Sequence, residues 1–343
     1  MAYTTIDKST DYFNTTLYTG TGAELAVSDM GFQPDFSWIK NRTSAEIHIL
    51  TDSVRGATEG LSCNSTGLQI TNAQNLKSFD SAGFTVGTDV QTNGNTNNIA
   101  SFNWKAGGTP ITGSGSLTNT RSTNATAGIS IIKYASTSTS SSTIAHGLGV
   151  APDWVWIKQL GGATSWILWC TQLGATTNYL YPNTTAAVAS STDWLGVDAT
   201  NITLKTTWGE LNTTGDYVCY AFAQKQGFSK QGQYSGNGNA DGSFVYTGFA
   251  PAFVWIKSET DAAGTWVLTN NKAPGYNPTD KILLENATDV EATSSGDKMS
   301  LLSTGFKLQG TSSHVNGNDK KTIYMAFAAT PMLSSAGIVG TAL

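Results

Sequence analysis

The chain is poor in charge. Only 13% of its 343 residues are Asp, Glu, Lys or Arg, against about a quarter in an ordinary globular domain. Three residues are Arg (Arg42, Arg55 and Arg121) and no basic run occurs, so the sequence predicts no nucleic-acid binding through phosphate neutralisation. No apolar run approaches the ~18 residues that a membrane-spanning helix needs. The N-terminus lacks the apolar stretch of a signal peptide, and we expect neither secretion nor membrane insertion.

Cysteine is also scarce. The three residues Cys63, Cys170 and Cys219 match no metal-binding spacing, and an odd number cannot pair fully within one chain. We expect free, buried thiols in a protein made in a reducing cytoplasm.

Small polar residues and large aromatic ones take the place of charge. The chain has 36 Gly and is rich in Ser, Thr and Asn, which favour turns and extended backbone and form helices poorly. Ten Trp and twelve Tyr indicate a folded protein. These rings can fill cores or form contact surfaces.

One ten-residue pattern occurs three times: Gly, then Pro three residues later, and Trp-Ile-Lys at the end. The copies are Gly31–Lys40 (GFQPDFSWIK), Gly149–Lys158 (GVAPDWVWIK) and Gly248–Lys257 (GFAPAFVWIK). Late in each copy comes an aromatic-rich stretch, at Ile99–Trp104, Val218–Phe222 and Ile323–Phe327. From the motif Pro to the last aromatic of that stretch is 70, 70 and 76 residues. This near-constant spacing indicates that a whole folding unit is repeated.

The repeated segments have the pattern of strands. Short runs of aromatic and β-branched residues lie between Gly, Asn, Pro and Ser, with no sustained helical period. The central motif is apolar on both faces, since Trp154 and Trp156 alternate with Val155 and Ile157. Such a strand lies mid-sheet between two packed layers. The sequence therefore predicts an all-β protein of three tandem β-sandwich or jelly-roll-like modules.

We place the modules at residues 1–108, 128–228 and 229–331. Residues 109–127 are polar and Gly-rich and predict a flexible linker, and residues 332–343 form a C-terminal tail. The repeated Lys40, Lys158 and Lys257 are interpreted as charged strand ends that leave the core for water.

The search for catalytic chemistry yields no candidate catalytic, metal or cofactor residue, and we predict a non-enzymatic protein. Glu210 and the nearby Asp216 are interpreted as a polar loop rather than a catalytic pair. His48, His146 and His314 lie at unrelated positions in the repeats. Gly236–Gly242 places oxygen ligands at alternate positions but lacks the closing Glu of a calcium loop, and a hairpin turn explains it better.

The repeated pattern resembles a module of virion proteins from marine tailed bacteriophages, often described as tail-fibre or structural proteins. The matching stretches run in order from Tyr18 to Pro331. They include Pro34–Arg42, Phe79–Gly87, Phe102–Gly108, His146–Asp153, Tyr234–Tyr246 and Tyr324–Ala328. The resemblance implies a virion structural protein and carries no catalytic residues.

Three functions compete on this basis. The leading one is a tail-fibre or tail-tip surface protein that contributes to host attachment by non-catalytic binding, through loops rich in Ser, Asn and Gly. The second is a capsid decoration protein, and the third is a glycan depolymerase. We expect a homo-oligomer, with a trimer favoured, on the exterior of the virion. Its expected partners are other virion proteins and a host surface glycan or protein.

Overall fold

The computed structural model describes residues 3–273, 275 and 277–340, which are almost entirely β. Repeat 1 contains β1 (Phe13–Thr19), β2 (Leu25–Val27), β3 (Phe36–Asn41), β4 (Ile49–Asp52), β5 (Gly56–Ser62), β6 (Ile70–Thr71), β7 (Leu76–Asp80), β8 (Gly83–Val86) and β9 (Asn98–Trp104). Repeat 2 contains β10 (Ile111–Thr112), β11 (Asn119–Asn124), β12 (Ile129–Ser136), β13 (Ser142–Ala145), β14 (Trp154–Gln159), β15 (Ile167–Cys170), β16 (Asn178–Tyr179), β17 (Ala189–Ser190), β18 (Leu195–Val197), β19 (Asn201–Leu204) and β20 (Gly215–Phe222). Repeat 3 contains β21 (Ser229–Ser235), β22 (Phe244–Tyr246), β23 (Phe249–Ser258), β24 (Val267–Asn270), β25 (Lys281–Leu284), β26 (Ala292–Thr293), β27 (Met299–Leu302), β28 (Gly305–Leu308) and β29 (Lys321–Pro331). The helical turns of the described chain are α1 (Val90–Asn93), α2 (Ser313–Asn316) and 3-10 turns at Ser9–Asp11 and Thr171–Leu173.

Each repeat forms one large and one small antiparallel sheet, and repeat 2 also has a two-stranded sheet of β16 and β17. The large sheets have the orders β1-β9-β3-β4-β5-β6, β10-β11-β12-β20-β14-β15 and β21-β29-β23-β24-β25-β26. The small sheets have the orders β2-β8-β7, β13-β19-β18 and β22-β28-β27. The predicted fold class, all-β with three sandwich-like modules, is confirmed.

The repeated motif forms the central strands β3, β14 and β23, which are buried on both faces. Their outward side chains pack on the small sheet of the same repeat. Ile39 contacts the cluster of Phe84 and Val86, and Val155 packs with Ile202. Their inward side chains all join one further core that the three repeats share. Each large sheet is therefore a layer between its own small sheet and the other two repeats.

Three tryptophans meet at the middle of this shared core. Trp38, Trp156 and Trp255 are each 1% exposed, and they occupy equivalent register positions opposite Phe102, Tyr220 and Met325. Their ring centroids are 5.8 Å (Trp38–Trp156), 5.3 Å (Trp38–Trp255) and 5.3 Å (Trp156–Trp255) apart. The repeats thus surround a pseudo-three-fold centre within a single chain.

The three repeated lysines join neighbouring repeats, so the prediction that they leave the core for water is wrong. Lys40, Lys158 and Lys257 are fully buried. Each ammonium donates to a backbone carbonyl of a neighbouring repeat: Lys40 of repeat 1 to Thr288 of repeat 3 at 2.9 Å, Lys158 of repeat 2 to Thr66 of repeat 1 at 3.4 Å, and Lys257 of repeat 3 to Thr185 of repeat 2 at 3.0 Å. Burial lowers the pKa of each lysine to about 8. The carbonyls that accept these hydrogen bonds belong to loops far away in sequence, so the local sequence pattern around each lysine does not predict its burial.

A buried ion pair reinforces the contact between repeats 1 and 2. Arg55 Nε lies 2.6 Å from Asp52 Oδ2, and the hydroxyl of Tyr220 donates to the same oxygen at 2.7 Å. Both charged side chains are at most 1% exposed. Because removing one member would leave the other charged and buried, this pair is costly to break.

The expected flexible linker at residues 109–127 is also wrong. Strands β10 and β11 belong to this segment and extend the large sheet of repeat 2, with β11 paired to β12 along Asn119–Asn124. The hydroxyl of Ser122 donates to Gly108 O at 3.0 Å, and Asn119 Nδ2 donates to Leu117 O at 2.9 Å. Backbone pairing at a sheet edge and side-chain hydrogen bonds hold this segment. It therefore shows little of the apolar alternation that marks a strand.

The tail contacts repeat 3 and the start of the chain. Met332 N donates to Gly248 O, and the hydroxyl of Ser335 donates to Asp7 Oδ2 at 2.7 Å. Residues 341–343 of the predicted tail lie outside the described residues. Among the residues that are described, no helix is long and apolar enough to cross a membrane.

Glu285 is a buried acid beside the shared core. It is fully buried, neither carboxylate oxygen has a hydrogen-bond partner within the described chain, and its backbone carbonyl lies 3.8 Å from Cys63 Sγ. Burial raises the pKa of this carboxyl well above its ordinary value. Ionised Glu285 is therefore unfavourable in the folded state.

We expect Trp255→Ala to lower the free energy of unfolding by about 3–5 kcal/mol, since it empties the centre of the core. Because the three repeats share that core, calorimetry should still show one transition, shifted as a whole. The partly buried Trp208→Ala is the control and should cost less. Separate transitions for the repeats would contradict the shared-core interpretation.

A second expectation concerns Glu285→Gln. Between its unfolded and its raised folded pKa, the native state holds a proton that the unfolded state releases, so Glu285 makes stability fall as pH rises. Glutamine has no such dependence. Urea unfolding should therefore show that the variant gains stability over the parent from about pH 5 to about pH 8. The exposed Glu24→Gln is the control, and a gain of equal size at both pH values would rule out ionisation as the cause.

Candidate functional site

Comparison of equivalent positions in the three repeats shows which side chains the shared fold requires. Tyr18, Tyr134 and Tyr234 are equivalent, and each hydroxyl donates to a carbonyl of the turn before the last strand of its repeat, at Thr92, Leu211 and Val315. The buried Asn93, Asn212 and Asn316 follow in the same turns, and each bridges two backbone carbonyls of its repeat. Groups that recur in all copies serve the shared fold. An exposed group present in one copy is not required by it, and is a candidate for binding.

Repeat 3 carries such a group on the edge strand β22. Phe244 and Tyr246 are each 48% exposed and lie on the same side of the strand. The strand register places Ala26 and Ser28 at these positions in repeat 1, and Thr143 and Ala145 in repeat 2. The exposed aromatic pair is therefore an addition of repeat 3.

A pocket of about 410 Å³ opens beside Tyr246. It is lined by Tyr3, Gln224, Gln226, Gly227, Ser229, Lys230, Tyr246 and Thr247. Lys230 Nζ donates to Tyr246 O at 2.7 Å and lies 5.3 Å from the centre of the Tyr246 ring. The hydroxyl of Tyr3 donates to Gly248 O at 2.7 Å, which ties the start of the chain to repeat 3. Residues from three distant stretches of sequence thus form one wall.

Burial shifts the pKa values of two residues of this pocket in opposite directions. Burial, with the Tyr246 hydroxyl as a smaller cause, raises the pKa of Tyr3 to about 12, so this phenol stays neutral. Burial lowers the pKa of Lys230 from its ordinary value. The site offers a phenol ring, two side-chain amides, hydroxyls and an ammonium. This combination suits a ligand that has both hydroxyl groups and an apolar face.

The turn at Glu210 has a structural counterpart in every repeat. Asn212 N donates to Trp208 O, as Asn93 N donates to Asp89 O before β9 and Asn316 N to Ser312 O before β29. Asp216 is engaged elsewhere, with its Oδ2 2.9 Å from Lys133 Nζ. Burial raises the pKa of Glu210, and the positive charge of Lys158 opposes this shift. The structure therefore gives these two acids no common partner.

The remaining sequence candidates lie apart. His48 is fully buried; its Nδ1 accepts from Trp38 Nε1 at 2.9 Å and its Nε2 donates to Leu284 O at 3.1 Å. His146 contacts Asp198 O, and His314 lies 3.6 Å from Asp297. Within the described part of the chain, no group of three His, Cys, Asp or Glu could hold a metal ion.

Gly236–Gly242 does not form the predicted hairpin. It joins β21 of the large sheet to β22 of the small sheet, and these strands pair with β29 and β28. Its Asp241 carboxylate binds Lys307. The interpretation as a hairpin is wrong because strands that follow each other in sequence here enter different layers.

Sequence reasoning missed the pocket because its walls are not local. Tyr3, Gln224, Lys230 and Tyr246 carry no shared motif. The aromatic pair on β22 is the sequence feature that could have indicated this site. It stands out when the repeats are aligned over the strands of the small sheet as well as over the Trp-Ile-Lys motif.

Residues 8–331 match the model of the family described as Domain of unknown function (DUF7483), and the chain belongs to that family. The matched range covers all three repeats. Neither the curated proteins nor the solved structures contain a match.

We expect the double variant Phe244→Ala and Tyr246→Ser to fold as the parent does. Each substitution introduces the residue that repeat 1 has at the equivalent exposed position, Ala26 or Ser28. Surface substitutions of this kind change the free energy of unfolding by no more than about 0.5 kcal/mol. Urea unfolding checks this. A loss of several kcal/mol would mean that the aromatic pair serves the fold of repeat 3.

Proposed function

We propose that this member of the DUF7483 family is a non-catalytic surface protein of a bacteriophage virion that contributes to host attachment. The phage assignment rests on the sequence resemblance over Tyr18–Pro331. The observation that supports binding is the pocket at Tyr246, with an exposed aromatic pair that the other repeats lack. A large shared core holds that pocket on a rigid support.

The ligand class that the pocket favours is a host surface glycan. Sugars present hydroxyl groups along their edges and C–H groups on their faces. The amides of Gln224 and Gln226 supply both donors and acceptors, and the Tyr246 ring supplies an apolar face with a polar tip. None of the described residues that line the pocket is a carboxylate, so their chemistry favours holding a sugar over cleaving one.

Capsid decoration is the second candidate, and the pseudo-three-fold centre is the observation that favours it. Three similar repeats around Trp38, Trp156 and Trp255 present similar surfaces in three directions. A single copy of such a chain could dock on a three-fold position of a shell. The virion location and the expected homotrimer stay predictions for either role, and sedimentation of the purified chain tests the trimer.

Adsorption to host cells tests attachment. We expect the Phe244→Ala and Tyr246→Ser double variant to bind cells at least about tenfold more weakly, since aromatic anchors commonly contribute more than 1 kcal/mol. The control is Val150→Ala, which removes exposed apolar surface in repeat 2, 47% exposed at this side chain. Equal adsorption of all three proteins would overturn the role of this pocket.

Imaging of labelled protein on intact particles separates the two candidates. Density at the tail is expected for attachment, whereas density confined to capsid faces would favour decoration and overturn the attachment role.

A further inference from the structure

The large sheet of each repeat has a matching outer strand, and these three strands are treated differently. The strands are β1, β12 and β21, which hold equivalent positions beside β9, β20 and β29. Strand β12 is paired on both sides, with β20 and with β11. Within the described residues, strands β1 and β21 pair on one side. Repeat 2 therefore shows what the same edge looks like when it is occupied.

The occupant in repeat 2 is the segment 114–124, which bonds to both sheets. Ala145 N donates to Ser114 O at 2.9 Å and Leu117 N to Thr143 O at 3.2 Å, which attaches the segment to β13. Ala135 N then donates to Thr118 O at 3.0 Å, and the segment continues as β11 along β12. It closes the gap between the large and the small sheet.

Occupation buries apolar surface that is otherwise left open. Leu117 of the segment is 4% exposed and joins the same cluster as Tyr134, which is 1% exposed. The equivalent tyrosines Tyr18 and Tyr234 are only partly buried. Leu25, on the small-sheet side of the gap in repeat 1, is also only partly buried. Tyr18 and Leu25 thus leave apolar surface accessible at the gap in repeat 1.

Backbone groups of β1 point into this gap. The bonds Lys105 N to Tyr12 O and Gly20 N to Asn97 O place the even-numbered residues in hydrogen-bonded pairs with β9. By the alternation of an antiparallel strand, the N–H and C=O groups of Thr15, Leu17 and Thr19 face away from β9. In repeat 2 the residue equivalent to Thr19 is Ala135, which bonds the occupant.

Repeat 3 protects its edge in another way. Gln172 Nε2 from the 3-10 turn of repeat 2 donates to Gln231 O at 3.2 Å, so a side chain takes up part of β21. Between repeats 3 and 1, the residue equivalent to Gln172 is Lys272. It borders a cleft of about 570 Å³ between β1 and β2. That cleft is lined by β1 and by Leu25–Asp29.

We propose that the cleft between β1 and β2 binds an extended segment of a partner polypeptide, which adds to β1 as an antiparallel strand. Strand addition to an exposed edge is a common mode of peptide recognition. The chemistry of the partner follows from the occupant of repeat 2: Gly and Ser where it crosses between the sheets, one apolar side chain inserted between them, and then Thr, Ser and Asn. A second copy does not supply its own 114–124 segment, because that segment is paired with β12. The inference rests on strand geometry and does not depend on the attachment role.

A synthetic peptide of residues 109–126 is the probe, titrated into the full chain and followed by calorimetry and amide NMR. We expect saturable binding, with shifts and slowed hydrogen exchange at Thr15, Leu17 and Thr19. A peptide with Leu117→Asp should bind about tenfold more weakly, because it places a charge between the sheets.

Two variants of the protein locate the site. Leu17→Pro removes one outward N–H from an edge strand, where proline is tolerated, and should weaken the peptide about tenfold. Leu17→Thr keeps the N–H and is the matched control. If Leu17→Pro fails to fold, the test is amide hydrogen exchange at β1 of the parent protein, which bound peptide should slow. No binding at millimolar peptide, shifts on β21 in place of β1, or equal affinity for both variants would overturn the proposal.

Discussion

The packing of Trp38, Trp156 and Trp255 against one another is the contact on which the rest of the structure depends. Each large sheet is apolar on both faces, and its own small sheet covers one of them. The other face is buried only because the remaining two repeats are present. A single repeat would expose an aromatic face, and its repeated lysine would lose the acceptor that the neighbouring repeat supplies. The repeats are therefore parts of one cooperative unit, and the family match over residues 8–331 spans that unit.

How much the sequence predicts depends on whether the determining contacts are local. The Trp-Ile-Lys strands, their central position and their burial follow from alternation and repetition. The closed arrangement does not follow, because three tandem copies are equally compatible with separate beads. Lys40 shows the difference: its neighbours in sequence suggest a strand end, whereas its ammonium is buried and donates to Thr288 O, 248 residues away. The pocket at Tyr246 needs Tyr3 and Lys230 beside it, and only folding brings these together.

Repetition also distinguishes two kinds of buried polar group. The tyrosine and asparagine bonds before the last strand recur in every copy and satisfy backbone carbonyls that the fold itself leaves open. Arg55 with Asp52, and Glu285 beside Cys63, each occur in one copy. Arg55 is paired and hydrogen-bonded, whereas Glu285 lacks side-chain partners within the described chain. Because a buried charge without a partner is costly, burial favours the protonated form of Glu285, whereas Arg55 lies beside the carboxylate of Asp52. The three sides of the pseudo-symmetric core therefore differ in their buried ionisable groups.

The three repeats also differ at the outer strands of their large sheets, β1, β12 and β21. An unpaired edge strand is a template for adding another strand, and proteins usually cover or block it. This chain covers β12 with its own backbone and blocks part of β21 with Gln172. At β1 the described part of the chain has neither, and Lys272 lies at the rim. A lysine discourages uncontrolled pairing while leaving the backbone groups accessible. The open edge is bordered by Tyr18, which is only partly buried, whereas its equivalent Tyr134 in repeat 2 is 1% exposed. The pairing of segment 114–124 with β12 in repeat 2 is therefore the structural template for an added strand at β1 in repeat 1.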